Sequence, residues 1–573
     1  MWWRTCVVLV CVTAVLADEE WRQVNTAQGP VRGQKHPSGH LYAFYNVPYA
    51  TAPKGADKFK APLPPAVRTE PLDATEKRVI CPQNKFVAIM QGYEEMTEDC
   101  LVANIFVPDT NERNLPVLVY VHGGAFIIGF GDSARGTQLM KSKDFIMVTF
   151  NYRLGIHGFL CLGTEDVPGN AGLKDQVALL RWVKDNIANF GGNPNDVTLG
   201  GCSAGSASVD LLLLSKSAKG LFHHVIPESG GNLAVFSMQR DPVQIAKTHA
   251  KNLNFTNVDD IYALEQFYKS ASMELLTADI FFDRTDSTFM FSPCVERDTG
   301  DGAFLTESPL TVLKNGEYDK LPMLYGFANM EGRFREPFFE FWKDKMNTNF
   351  SQFLPADLIF ETEEKREEVA NKVKSFYFKD QPVSNDTILG YIDFFSDVLF
   401  THSMLWAAKL QAEAGNNQIV YLYEYSFVDE NVPVVAHTDV RGANHCAQSS
   451  AVMDGRDETK DTPEFQNMRK IIREMWHNFI ITGKPVPEGS LLPNWAPAGP
   501  NRAPYMSLGV KVEQKGVLLE ARTQLWAEIY EQHYLDSVPP PTPEVVTDSA
   551  HSDILLSFNL IIFIVTLWLT KVF

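Results

Sequence analysis

The stretch Val197-Thr-Leu-Gly-Gly-Cys-Ser203-Ala-Gly205 indicates the fold more directly than any other part of the chain. A short strand-like run ends in a G-x-S-x-G pattern, and the apolar residues Leu211–Leu214 then suit a helix. A serine at such a sharp strand-to-helix turn has a strained backbone, which only small flanking residues accommodate. The turn would expose the Ser203 hydroxyl near a helix N-terminus that favours negative charge. A plain glycine-rich turn is the alternative interpretation.

A second glycine pair lies in His122-Gly-Gly-Ala-Phe126, directly after another apolar run. The motif matches the HGGG-type element whose backbone N–H groups stabilise a developing oxyanion. Glycines let a substrate carbonyl approach the main chain, and each donor contributes roughly 3 kcal/mol in the transition state. We therefore predict an oxyanion hole made by the N–H groups of Gly123, Gly124 and Ala204, beside a nucleophilic Ser203. An ordinary β-turn is the alternative interpretation of this motif.

Patterns typical of buried strands and of helices alternate around both motifs. Pro116–Val121 and Phe145–Phe150 are continuous apolar runs, as in strands buried on both faces. Asp175–Phe190 has helical spacing that stops at Gly191. This alternation predicts an α/β fold with a large, mostly parallel central sheet covered by helices on both faces. Sites in such folds lie beyond the carboxyl ends of the strands, where both glycine motifs occur.

Composition excludes several classes of protein. The chain has 573 residues, a net charge of −19 and 45% hydrophobic residues, which is ordinary for a globular protein and not for a disordered, collagen-like or polytopic membrane chain. The acidic balance argues against a nucleic-acid partner, because phosphate binding needs clustered Lys and Arg. The sequence has no HExxH motif, no paired CxxC motifs and no P-loop. We therefore expect neither a metal nor another cofactor.

The N-terminus has the layout of a secretory signal peptide. Arg4 precedes a short apolar run that ends in Val15-Leu-Ala17, and acidic residues follow. The run is too short to span a bilayer, and it ends in small residues where a signal peptidase would cut. We interpret residues 1–17 as a signal peptide, which would remove Cys6 and Cys11; a buried N-terminal helix is the alternative. Three N-x-S/T sequons agree with this compartment and predict glycans at Asn254, Asn349 and Asn385.

The C-terminus predicts attachment to a membrane. Residues 537–553 form a polar spacer that contains the stiff run Val538-Pro-Pro-Pro-Thr-Pro543. Residues 554–573 form a hydrophobic tail, whose apolar run Ile554–Leu569 would reach about 24 Å as a helix, short of the ~30 Å bilayer core. A GPI-attachment signal or a single C-terminal span fits this tail, and a buried helix is the remaining alternative. We expect a protein of the secretory pathway, extracellular or anchored at the cell surface.

Further motifs occur in a fixed order around the two glycine motifs. They are Glu98-Asp-Cys-Leu-Val-Ala-Asn-Ile105, Asn151-Tyr-Arg-Leu-Gly155, Pro168-Gly-Asn-Ala-Gly-Leu-Lys-Asp-Gln176 and Phe190-Gly-Gly-Asn-Pro194. With them, the chain from about Val24 to Tyr534 resembles the type-B carboxylesterase/lipase family of the α/β-hydrolase fold, and most closely the insect carboxylesterases. The resemblance implies one α/β-hydrolase domain over residues 18–536.

The same resemblance implies a catalytic triad. Glu331, in Gly326-Phe-Ala-Asn-Met-Glu331-Gly332, looks like the family's acid, and His445, in Gly442-Ala-Asn-His445, looks like its histidine. A neutral His445 would take the proton from Ser203 and return it to the leaving alcohol, while Glu331 would fix the tautomer and stabilise the imidazolium. The resemblance also implies a disulfide between Cys81 and Cys100, worth about 3 kcal/mol in the loop-entropy model.

The remaining cysteines depart from the family pattern. Cys202 stands where Glu commonly precedes the nucleophile, and Cys446 begins a segment that is commonly acidic after the histidine. Two alternatives stay open here: a Cys202–Cys446 disulfide that braces the site, or two buried free thiols. Spacing cannot choose among the 15 complete pairings of six cysteines. By default, we expect Cys161 and Cys294 to be unpaired. The missing carboxylates predict a low apparent pKa for activity, because the His445 imidazolium is less stabilised.

Together these residues predict a serine carboxylesterase. Its expected partner is a small, neutral, hydrophobic ester, hydrolysed through an acyl-Ser203 intermediate as in general, odorant or xenobiotic esterases. The Cys81–Cys100 loop has no tryptophan to bind a choline head, which argues against a cholinesterase. A juvenile hormone esterase-like enzyme is one alternative, although such enzymes usually carry Gln where this chain has Cys202. A cell-surface adhesion protein of the same fold is the alternative from another class.

Overall fold

A 13-stranded sheet forms the centre of the computed structural model, which describes residues 20–542 apart from 76–78, 91, 93–95, 280–283, 299, 301, 415–418 and 455–457. The strands are β1 (Trp21–Thr26), β2 (Gly29–Lys35), β3 (Leu41–Pro48), β4 (Leu72–Asp73), β5 (Val102–Pro108), β6 (Leu115–Val121), β7 (Ile146–Phe150), β8 (Gly192–Cys202), β9 (His224–Glu228), β10 (Met323–Ala328), β11 (Val420–Tyr425), β12 (Tyr505–Leu508) and β13 (Val512–Lys515).

Helices cover the sheet and fill the connections between its strands. The α-helices are α1 (Lys85–Met90), α2 (Gly155–Phe159), α3 (Ala171–Asn186), α4 (Ala204–Leu214), α5 (Pro242–Asn252), α6 (Ile261–Ser270), α7 (Met273–Leu276), α8 (Pro309–Asn315), α9 (Phe339–Thr348), α10 (Glu363–Phe378), α11 (Ile388–Ser396), α12 (His402–Glu413), α13 (Ala447–Val452), α14 (Pro463–Thr482) and α15 (Glu520–His533).

The strand order is β1-β2-β3-β5-β7-β6-β8-β9-β10-β11-β12-β13, with β4 beside β2. From β7 to β12 neighbouring strands are parallel, whereas β1, β2, β3 and β5 join antiparallel at one edge and β13 at the other. The predicted α/β fold with a mostly parallel centre is therefore confirmed. The antiparallel edges are an addition that the sequence patterns did not predict.

Both faces of the central strands are buried, which explains their unbroken apolar sequence. In β6, Val117, Val119 and Val121 belong to one hydrophobic cluster, while Leu118 and Tyr120 belong to a second cluster. Successive side chains of a strand point to opposite faces, so the two clusters lie on opposite sides of the sheet. The predicted helix at 175–190 begins earlier, at Ala171, and its last turn tightens to a 3₁₀-helix over Ile187–Phe190.

The described residues up to Pro540 form one compact unit. The signal peptide interpreted at residues 1–17 and the hydrophobic tail at 554–573 lie outside the described residues, and the spacer is described only to residue 542. These domain boundaries therefore stay predictions. Within the described part of the chain, no helix is both long and apolar enough to cross a membrane.

Candidate active site

Ser203 occupies the sharp turn between β8 and α4. Its backbone has φ 60° and ψ −126°, a conformation outside the regions that residues other than glycine ordinarily adopt, and its N–H donates to the Glu228 carbonyl at 2.9 Å. The flanking glycines make the turn sterically feasible. A Cβ on Gly201 would lie 2.6 Å from the Gly205 carbonyl carbon, and a Cβ on Gly205 would lie 2.2 Å from the Val121 oxygen.

The His122-Gly-Gly turn lies directly against this serine. A Cβ on Gly123 would stand 2.6 Å from the Cys202 oxygen and 3.1 Å from the Ser203 Cβ, so only glycine lets the two turns meet. The His122 ring supports the turn from behind, because it stacks on Tyr152 at 4.4 Å and bonds through Nδ1 to the Gly123 carbonyl at 2.8 Å. Burial lowers the pKa of His122 to about 4, so this ring is neutral at physiological pH.

Three backbone N–H groups remain free next to the serine. Among the hydrogen bonds of the described residues, none uses the N–H of Gly123, Gly124 or Ala204 as its donor. Ala204 is the first residue of α4, where the helix dipole favours negative charge. The predicted oxyanion-hole residues therefore lie around Ser203 with donors that the protein itself does not satisfy.

The predicted acid and histidine are in direct contact. The His445 Nδ1 donates to Glu331 Oε2 at 2.5 Å, across 114 residues of sequence. Glu331 is fully buried just after β10, and its other oxygen accepts from the Ala328 N–H at 2.7 Å and from the Ser229 hydroxyl at 2.5 Å. In turn, the Gln448 amide donates to Ser229 at 2.6 Å. This network holds one oxygen of the carboxylate in place while the other contacts the imidazole.

Aromatic rings fix the orientation of the imidazole. Phe400 stacks on His445 with ring centroids 4.2 Å apart, and Phe334 approaches it at 5.4 Å. His445, Ser203, Gly123 and Gly124 are each partly exposed, so a substrate can reach them. The imidazole is thus bordered by apolar rings.

A disulfide between Cys202 and Cys446 links the two halves of the site. It joins the residue before Ser203 to the residue after His445, with 6.2 Å between the two Cα atoms. Of the two alternatives left open by the sequence, the structure has the disulfide. The described hydrogen bonds do not include one from the Ser203 hydroxyl to His445, and such bonds are often loose in ligand-free enzymes and tighten with substrate.

The other cysteines also pair. Cys81–Cys100 is present, as the resemblance implied, with Cα atoms 5.0 Å apart. The expectation that Cys161 and Cys294 are unpaired is wrong, because they form a disulfide across 133 residues. The Asn170 side chain, which bonds both the N–H and the carbonyl of Cys294 at 2.9 and 2.8 Å, holds the two chain segments together. Such proximity comes from tertiary packing, which spacing does not reveal.

Glu228 is a site residue that the sequence analysis did not single out. It ends β9 beside Cys202, and its buried carboxyl oxygens accept from the hydroxyls of Tyr423 and Ser449. Ser449 lies on α13, the helix that follows His445. Burial, with a smaller contribution from Glu331, raises the pKa of Glu228 to about 7. No local motif marks Glu228, since strand register alone brings it to the site.

No group of three or more His, Cys, Asp or Glu side chains in the described part of the chain could hold a metal ion. All three asparagines predicted to carry glycans, Asn254, Asn349 and Asn385, are exposed to solvent.

Comparison with known proteins identifies the family. The family model described as the carboxylesterase family matches residues 20–526. The chain belongs to the carboxylesterase family. It is therefore a carboxylic ester hydrolase with the α/β-hydrolase fold.

Insect enzymes are prominent among the similar carboxylesterases. The carboxylic ester hydrolase of Bombus ignitus is 31% identical over 486 residues, which cover 82% of this chain and 86% of that protein. Venom carboxylesterase-6 of Apis mellifera is 31% identical over 506 residues, which cover 84% of this chain and 90% of that protein. The crystal structure of juvenile hormone esterase from Manduca sexta, with OTFP covalently attached, matches with a TM-score of 0.78, 29% identity, and 89% and 100% of the two chains covered.

Proposed function

We propose that Ser203 is the nucleophile of this carboxylesterase, His445 its general base and acid, and Glu331 the group that orients His445. The proposal rests above all on the 2.5 Å contact between His445 Nδ1 and the buried Glu331 carboxylate. With the proton held on Nδ1, the lone pair of the imidazole lies on Nε2, which is the tautomer that a general base needs.

The reaction follows in two balanced steps. Nε2 of His445 takes the hydroxyl proton as Ser203 Oγ attacks the ester carbonyl, and the N–H groups of Gly123, Gly124 and Ala204 bind the oxyanion. The imidazolium then protonates the leaving alcohol, and the acyl-Ser203 ester remains. Water, deprotonated by His445, attacks this ester and releases the carboxylic acid, while the proton returns to Ser203.

The substrate class that we propose is a neutral, hydrophobic carboxylic ester. Phe334 and Phe400 surround His445 with apolar surface. The loop between Cys81 and Cys100 has no tryptophan that could bind a quaternary ammonium group. A panel of esters graded in acyl length, with a choline ester included, tests this assignment; faster turnover of the choline ester would contradict it.

A juvenile hormone esterase-like activity is the second candidate. The similarity to the Manduca sexta enzyme over 89% of this chain favours it. Cys202 counts against it, because the hormone-specific enzymes usually have Gln at that position. Adhesion without catalysis is disfavoured by the retention of Ser203, Glu331 and His445 in one chain.

Labelling with an organophosphate tests the catalytic assignment. We expect one covalent adduct that peptide mapping locates at Ser203, and a Ser203→Ala variant with turnover lower by about 10⁶-fold and an unchanged melting temperature. The neighbouring Ser206 hydroxyl, which is buried and donates to the Gly230 carbonyl, serves as the control: Ser206→Ala keeps the label. Activity that survives in Ser203→Ala would overturn the proposal.

The three disulfides indicate folding in an oxidising compartment such as the secretory pathway. We further propose cleavage of a signal peptide after residue 17, glycans on the three exposed sequon residues, and membrane attachment through residues 554–573. Deglycosylation should lower the apparent mass, and phosphatidylinositol-specific lipase should release the enzyme from cells if the anchor is GPI. Retention after lipase treatment would favour a single span.

A further inference from the structure

A cleft with an aromatic wall lies between α8, α12 and α15. Its volume is about 540 Å³, which suits a small organic molecule. Trp406, Tyr530 and Tyr534 line it, and none of the proposed catalytic or oxyanion residues does. The cleft is therefore separate from the site of ester hydrolysis.

The aromatic wall is rigid. Trp406 meets Tyr534 edge-on at 5.2 Å and Tyr530 at 5.6 Å, and the two tyrosines stack at 5.7 Å. The Tyr530 hydroxyl donates to Asp357 at 2.9 Å, and the Arg240 guanidinium lies 5.3 Å above the Tyr534 ring. Rings held in this way offer a preorganised apolar surface at little entropic cost to a ligand.

The same cleft carries an excess of positive charge in a protein whose net charge is −19. Its lining includes Lys314, Lys409 and Arg502 against a single carboxylate, Glu531. Lys409 is paired with Glu413 at 2.5 Å, whereas neither Lys314 nor Arg502 has an ion-pair partner among the described residues. The cleft therefore has two cations outside any direct ion pair of the described residues, and Arg502 is influenced only at longer range by the Glu520 carboxylate.

Of the two cations, Arg502 is the stronger evidence for a bound anion, because it is half-buried whereas Lys314 is exposed. Its Nε atom is shielded from solvent and has no hydrogen-bond partner in the described part of the chain, and burial lowers the pKa of the guanidinium. A tight turn, closed by the bond from the Arg502 N–H to the Gly499 carbonyl at 2.8 Å, fixes its backbone. A partly desolvated guanidinium without a direct ion pair is costly, and a bound carboxylate or sulfonate would compensate this cost.

We propose that this cleft binds an amphiphilic anion, namely a flat aromatic body that carries a carboxylate or sulfonate group. The aromatic body lies against Trp406 and the two tyrosines, and the anionic group meets Arg502 and Lys314. The cleft is a second ligand site, independent of the ester substrate. Neutral analogues of the same shape bind weakly there, because they leave Arg502 without a partner.

Calorimetry with 2-naphthalenesulfonate tests the proposal on the intact enzyme after organophosphate labelling, so that the ester site is blocked. The mass that the organophosphate adds shows, independently of the calorimetry, whether Ser203 reacts as the proposed function requires. We expect one binding event, an affinity at least tenfold lower for Arg502→Gln, and an unchanged affinity for Arg68→Gln. Arg68 is a matched control, since it is also half-buried without an ion pair among the described residues but lies outside the cleft.

A second pair of variants covers the case in which Arg502→Gln fails to fold. Lys314→Gln should weaken binding about threefold, whereas Lys345→Gln, another exposed lysine without an ion pair in the described chain, should not change it. Neutral 2-naphthamide should bind at least tenfold more weakly than the sulfonate. Equal affinities for the cleft variants and their controls, equal affinities for sulfonate and amide, or no binding to the labelled enzyme would each overturn the proposal.

Discussion

The buried carboxyl group of Glu228 makes the free energy of unfolding depend on pH. Its pKa is raised from an ordinary value near 4.5 to about 7, chiefly by burial, so the folded protein holds this proton more tightly than the unfolded chain does. The stabilisation is complete below pH 4.5 and is lost as the pH rises through 7, because the charged form is then buried. At high pH the wild type should therefore be less stable, by about 3 kcal/mol relative to acidic pH, through this group alone.

The Glu228→Gln variant measures this effect. Gln keeps the size of the side chain but does not titrate, so its stability relative to the wild type should rise between pH 5 and pH 8.5 in denaturant titrations. Glu361→Gln, at an exposed position, is the control and should show no such trend. If the difference in free energy of unfolding between the wild type and Glu228→Gln stays constant across this range, the fold does not disfavour the charged form of Glu228 and the prediction is wrong.

At the residue scale, local chemistry decided what the sequence could predict. Ser203 and Gly123 stand in short motifs whose geometry depends on adjacent residues, so both were placed correctly beside each other. Glu331 and His445 needed the family resemblance, because 114 residues separate them. Glu228 was missed, since its position follows from the pairing of β8 with β9 and not from its neighbours in sequence.

Among the elements, the glycine turn after β6 should be intolerant of any side chain. In Gly123→Ala the new Cβ would meet the Cys202 carbonyl at 2.6 Å, so the turn must retreat from Ser203 and withdraw its N–H donors. We expect kcat to fall by about 10²–10³-fold with little change in KM, because the donors act mainly on the transition state. Gly516→Ala, where the Cβ would meet nothing within 4 Å, should leave both constants unchanged.

The disulfide between the β8–α4 turn and the start of α13 should matter for catalysis as well as for stability. Replacing Cys202 and Cys446 by serine removes the covalent link between the turn that holds Ser203 and the segment that holds His445. A misplacement of the reacting groups by about 1 Å costs roughly 100-fold in rate. Replacing Cys161 and Cys294, which close a loop of 133 residues against 244 for Cys202 and Cys446, is the control, since the loop-entropy model changes only slowly with length. Both double variants should lose stability, by up to about 5 kcal/mol in the loop-entropy model, but only the first should lose kcat.

Equal kcat values for the two double variants would show that the Cys202–Cys446 bond does not position the site.

At the scale of the elements, the parallel strands β6, β7 and β8 were predictable from their apolar runs, since burial on both faces imposes that composition. The antiparallel edge strands were not, because one-sided burial leaves a weaker pattern. In β1, for example, only Val24 is buried among exposed and half-buried neighbours.

Over the whole molecule, the sheet gathers residues from distant parts of the chain at the carboxyl ends of its central strands. The turns after β6, β8 and β10 supply Gly123, Ser203 and Glu331 in turn, and His445 arrives after β11. The order of these turns along the chain could be predicted from the family resemblance. The packing of the loops could not be predicted. The Cys161–Cys294 bond is the clearest example, because it depends on how the loop between α2 and α3 meets a loop 133 residues later.

The Cys202–Cys446 bond also closes the chain into a covalent loop between Ser203 and His445, the proposed nucleophile and base. The two cysteines are 244 positions apart, so a protease that cuts once at an exposed loop between them severs the backbone but not the molecule. Both fragments would migrate as one species on a gel until a thiol reductant is added. An esterase of this design can be nicked in that interval by a protease and still keep Ser203 and His445 on a single covalent framework.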